Sequence, residues 1–119
     1  MIRVPWDLEE AVALFDLYFR LVEGMDDPQM EIEALSGVYS RRAEFLGVQK
    51  DEKFRNISGL KKQLACIHYI VTDGQAGMSN GSKLFYETYH LYRNDRAIFN
   101  RILNEFVTVK SKSVWTVMR

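Results

Sequence analysis

Cys66 and His68 are the two side chains whose types would make a nucleophile and its base, but their spacing argues against it. They stand two residues apart in a stretch with helical periodicity, and positions i and i+2 of a helix point to different sides. Cys66 reads as a small core residue. His68 and His90 fall on separate predicted helices, and neither belongs to a His-Glu-x-x-His metal pattern. Nothing in the sequence forces Asp73 to meet His90. A single cysteine can neither staple a fold nor build a cysteine-rich zinc site. The expectation is a non-catalytic domain with no metal and no cofactor.

A second group of residues suggests anion chemistry. Gly77-Met78-Ser79-Asn80-Gly81-Ser82-Lys83 superficially resembles a nucleotide-binding phosphate loop. That loop needs its lysine directly after the second glycine and a strand ahead of it. Here Ser82 precedes Lys83, and the preceding element is a predicted helix, so the phosphate-loop reading fails. A weaker one survives, because glycine turns and a helix start offer backbone N–H groups to an anion. Ser79, Asn80 and Ser82 add donors and Lys83 adds charge. Arg55, Asn56, Lys61 and Lys62 come from the neighbouring segment. Together these eight residues form a candidate nucleic-acid or anion site, since most protein–DNA hydrogen bonds land on phosphate and sugar. In this reading Arg55 contacts phosphate or a base edge, the three lysines contact phosphate, and Ser79 orients the loop. The competing reading is structural. Capping alone accounts for Ser79 and Asn80 and also for Asn56, the lysines are solvated, and Arg55 pairs with an acid such as Glu87.

Five helices position these groups. Asp7 with Glu10 makes a capping box, followed by Leu8, Val12, Phe15, Phe19 and Val22 at spacings of three and four, and Gly24 ends the helix. Leu14, Leu17, Tyr18 and Leu21 widen the stripe, which predicts a central helix. Asp27-Pro28 opens the second, with Ile32, Leu35, Tyr39 and Leu46 inward, Arg41 and Arg42 outward, and Gly47 as terminator. Residues 48–56 form a charged connector anchored by Phe54. The third helix runs from about Ile57 to Val71, capped by Asn56 or Ser58. A glycine-rich loop spans Thr72 to Ser82, Ser79 caps the fourth helix, and Asp95 caps the fifth. Trp6, Tyr39, Phe54, Phe85 and Tyr92 read as packing, whereas Tyr86, Tyr89 and Trp115 are freer for an interface. The expected architecture is all-α, with a helical domain over residues 1–106. Residues 107–119, of strand-forming composition, are a tail or the start of a linker.

The chain has 119 residues, enough for one domain with its own core. No apolar run approaches the roughly 18 residues of a membrane span, and residues 1–7 lack a signal-peptide core, so a cytoplasmic setting is expected. The net charge of zero hides a split. Residues 1–33 hold nine acids and two bases; residues 34–119 hold seven acids and fourteen bases. A DNA mimic would be acidic throughout and a simple DNA coat basic throughout. The split leaves room for a basic face, or for an acidic helix bearing Glu9, Glu10, Asp16 and Glu23 that meets a basic partner.

Asp51-Glu52-Lys53-Phe54-Arg55-Asn56, then Gly59, Gln63-Leu64, Gly77-Met78-Ser79 and Gly81-Ser82-Lys83-Leu84, resemble a helical domain of bacterial restriction and phage-defence proteins. That domain often precedes HNH-type endonucleases. Trp6, Leu14, Asp16, Tyr18-Phe19, Leu35-Ser36 and Arg42-Ala43 fit the same pattern, so the resemblance covers most of residues 6–106. It departs at Ile57-Ser58-Gly59, where such sequences tend to have Pro-Asn-Gly. The nuclease's His-Asn-His site is missing, so no catalytic residue carries over. The resemblance implies an accessory domain that recognises or positions nucleic acid beside an effector such as a nuclease. The alternative is a protein-interaction adaptor that docks an effector or pairs with itself.

Overall fold

A computed structural model describes residues 3–106. The described residues are all-helical: α1 (Leu8–Glu23), α2 (Pro28–Phe45), α3 (Ile57–Val71), α4 (Lys83–Asn94) and a fifth helix, α5, over 96–106. The expectation for residues 107–119 falls outside the described residues. No described helix is long and apolar enough to cross a membrane.

α1 is the central element. Ala11, Val12, Leu14, Phe15 and Leu17 lie on several sides of it, and all are fully buried. Burying side chains of the Leu and Phe type contributes about 1.5–3 kcal/mol each. α1 packs against α2, α3 and α4. Its capping box is formed in both directions: the Glu10 N–H donates to Asp7 Oδ1 and the Asp7 N–H to Glu10 Oε1. Asp27 caps α2 by accepting from the Met30 N–H, with Pro28 in the first turn. Gly47, at φ +71°, closes α2 as the Val48 N–H donates back to the Ala43 carbonyl. Asn56 caps α3 through the Gly59 N–H, and Asp95 caps α5 through the Ile98 N–H.

One cap differs from expectation. Ser82, not Ser79, accepts from the Phe85 N–H, so α4 begins at Lys83. Both serines are good caps by type. The choice is made by the loop, whose residues 77–81 are held against α3 and so cannot join a helix. The Met78 N–H donates to the Ala65 carbonyl, and the Asn80 N–H reaches the Cys66 thiol.

Gly77 makes that contact possible. It has φ +94°, and a Cβ there would sit 2.4 Å from the Ala65 carbonyl oxygen and 2.7 Å from the Tyr69 nitrogen. These are backbone atoms of a packed helix and cannot swing aside. Gly24 also has positive φ but faces open space. Gly77→Ala therefore costs about 2 kcal/mol or more, from strain and collision together, and Gly24→Ala clearly less. Paired urea denaturation curves check the order; equal losses would contradict the packing role of Gly77.

Candidate functional site

Arg55 is the most connected of the predicted site residues. Its guanidinium binds Glu10 at two points, Nε to Oε2 at 2.8 Å and Nη2 to Oε1 at 3.0 Å. The two side chains are only 8% and 4% exposed. Nη1 and Nη2 also donate to the Val4 and Pro5 carbonyls, which fastens the segment before α1. The Trp6 ring lies 4.2 Å from the guanidinium carbon and the Phe54 ring 4.5 Å. Arg55 thus has φ +46°, an uncommon conformation for a side-chain-bearing residue, held by a full set of contacts. Its carbonyl accepts from the Ser36 hydroxyl on α2.

The acid paired with Arg55 is therefore Glu10 of α1, not Glu87. Glu87 lies 3.9 Å from Lys83 on its own helix. Arg42, expected on the outer side of α2, is instead mostly buried. It binds Asp7 at 2.9 Å and Glu9 at 3.1 Å. Asp16 is bound by Arg20. Three acids of the proposed acidic helix face, Glu9, Glu10 and Asp16, are thus answered inside the chain.

The rest of the predicted set divides by what is already occupied. Asn56 and Ser82 are caps, and their side-chain oxygens each accept a backbone N–H. Lys61, Lys62, Ser79 and Asn80 are exposed. The Lys83 side chain is almost fully exposed, held only by its loose pair with Glu87. Lys61 and Lys62 line a shallow groove of about 450 Å³ with Ile57, Ser58, Ala65 and Met78. The structure thereby brings the α3 lysines to the glycine-rich loop, and places Arg55 in the interior. The loop's Ala76, Met78 and Asn80 N–H groups are spent within the protein, so its glycines serve packing more than anion cradling.

The nucleophile and base candidates have structural partners. Burial pushes the Cys66 thiol up, away from the reactive thiolate. His68 Nδ1 is 2.6 Å from the Tyr18 hydroxyl, whose pKa is raised by burial first and by Tyr89 second. His90 is bound by Asn94 one turn along α4. Among the described residues no group of three or more His, Cys, Asp or Glu is placed to hold a metal. Sequence reasoning missed the Glu10–Arg55 pair and the Tyr39 hydroxyl, which donates to the Glu10 carbonyl at 2.6 Å.

These features define an all-helical domain with a buried ionic knot on one side and a lysine-lined groove beside a glycine loop. Compared with known protein families, curated proteins and solved structures, the chain matches none.

Two consequences concern the knot. Arg55→Met strands a buried Glu10 carboxylate and costs about 3–5 kcal/mol, a large part of a small domain's stability. Adding Glu10→Met removes the stranded charge and recovers part of the loss. Chemical denaturation of the single and double variants checks this; a double variant no more stable than the single one would contradict it. Burial first, and the Glu10 charge second, hold the Tyr39 pKa well above its usual value. A raised folded-state pKa contributes stability that is complete below about pH 10 and drains away as the pH rises beyond it. Tyr39→Phe costs about 1 kcal/mol at neutral pH and makes the alkaline loss shallower. Melting curves across the alkaline range test it, and an unchanged alkaline limb would refute it.

Proposed function

We propose that this domain is non-catalytic and binds nucleic acid through phosphates, on the face carrying Lys61, Lys62, Ser79, Asn80 and Lys83. In this reading it positions nucleic acid for an effector, such as an HNH nuclease, of a bacterial restriction or phage-defence system. The observation that carries the reading is the groove beside the loop. Two exposed lysines line it, and no carboxylate does. Arg20, Arg42 and Arg55, by contrast, are held by acids of the same chain. Exposed lysines such as Lys61 and Lys62, with Lys83 in only a loose pair with Glu87, are what phosphate contacts require, and such contacts make affinity fall with salt. Arg55 has no part in this surface and acts by holding the fold.

A second reading is supported by Phe45 and Leu46, which end α2 with 64% and 54% of their surface exposed. Adjacent exposed apolar side chains of this size suit a protein partner or a second copy of the chain.

Fluorescence anisotropy with labelled DNA at several salt concentrations separates the two. Three lysine contacts predict a log–log salt slope of roughly −2 to −3. Combined Lys61→Ala, Lys62→Ala and Lys83→Ala substitutions weaken binding and flatten that slope, while the thermal melt changes little because all three side chains are exposed. Unchanged affinity in the folded triple variant sinks the site. No binding at low salt by the unaltered protein leaves the Phe45–Leu46 tip as the better reading.

A further inference from the structure

Resting on the phosphate reading just given, we infer that this face takes single-stranded nucleic acid, with an unstacked base laid on the Tyr86 ring. Tyr86 leaves 48% of its surface exposed. Tyr69, Tyr89 and Tyr92 are less exposed. Tyr89 stacks on Phe15, and Tyr92 lies between Phe19 and the Arg96 guanidinium, whose carbon is 3.4 Å from the ring centroid. Tyr86 lies beside the loop: a Cβ on Gly81 would meet its ring at 3.6 Å. Lys83 stands three residues before Tyr86 on α4, a spacing that puts both on one side of the helix.

The same loop joins this ring to the lysine groove. Met78 lines the groove with Lys61 and Lys62, and only two residues separate it from Gly81. Three Cα–Cα steps span at most about 11 Å. Cations therefore stand at both ends of a short loop, with an exposed aromatic face at one end and an apolar groove floor of Ile57, Ala65 and Met78 at the other. Cationic groups that follow the backbone, with an aromatic face for the bases, are the arrangement by which single strands are held without reading sequence. A duplex keeps its bases stacked and would leave Tyr86 and the groove floor unused. Three lysines also offer little to a duplex, whose non-specific affinity grows with the number of phosphates neutralised. Lys61 and Lys62 favour an anionic occupant, Lys83 adds its charge on release from the exposed Glu87 beside Tyr86, and the exposed ring selects an occupant with planar groups.

The test is anisotropy on the full chain with three labelled probes. They are a single strand of about 12 nucleotides, long enough for one such site, a duplex of the same length, and an abasic strand with the same number of phosphates. The single strand is expected to bind more tightly than either of the others. Tyr86→Ala is expected to weaken it by about fivefold or more, the low end for a lost base–aromatic stack. Tyr86→Phe keeps the ring and the affinity, and neither variant alters duplex or abasic binding. An abasic strand that binds as tightly as the intact one, or a Tyr86→Ala variant with unchanged affinity, overturns this inference and leaves the phosphate reading standing. Failure of all three probes at low salt overturns both. Poly-glutamate binding as tightly as the intact strand also overturns it, in favour of an acidic protein partner.

Discussion

The Glu10–Arg55 ion pair is the constraint on which the arrangement of this domain depends. It joins the first turn of α1 to the end of a connector 45 residues later. Through the same guanidinium it fastens the Val4 and Pro5 carbonyls and faces the Trp6 and Phe54 rings. Trp6 in turn meets Tyr39 and Phe85 edge-on, each at 5.5 Å, so α2 and α4 converge on the same point. A buried ion pair is seldom worth much against an apolar replacement, because taking both charges out of water costs nearly what their attraction returns. Its effect here is directional. A carboxylate and a guanidinium that must find each other leave few ways to lay the connector over α1. Among the described residues no buried side-chain nitrogen or oxygen lacks a partner, so the knot is formed without a stranded group.

This bears on how the charge split is read. Three acids of the first third meet bases of the rest within the chain, through Arg42 on Asp7 and Glu9 and Arg55 on Glu10. Part of the split is thus spent on folding. Arg42 and Arg55, with their planar fork, take the bidentate and stacked positions inside, whereas Lys61, Lys62 and Lys83 stand at the surface, as Arg41, Arg93, Arg96 and Arg101 also do.

Much of the fold is legible in the sequence because its signals are local. Asp7 with Glu10, Asp27 with Pro28, Asn56 and Asp95 each mark a helix start within four residues, and each is realised. The apolar stripe of α1 is wide enough to announce a central helix. What escapes is long-range. Glu10 and Glu87 are equally plausible partners for Arg55 until the connector's path is known. Ser79 and Ser82 are equally good caps until Gly77 is seen against the Ala65 carbonyl. The glycine loop is the instructive case. Its composition suggests an anion cradle, yet Gly77 and Gly81 are small because α3 lies against them. The candidate site was legible as residue types near one another, but not in which of them are already engaged by the protein.

A ¹H–¹⁵N titration of the folded protein with single-stranded DNA reads the interior knot and the loop face in one experiment, and so separates a structural Arg55 from a binding one. Shifts are expected only at the amides of Ile57–Ala65 and Gly77–Tyr86, with the Arg55 Nε–H and Trp6 indole signals unmoved. Shifts centred on Arg55 and Trp6, or on Phe45 and Leu46 with the loop silent, would contradict that expectation.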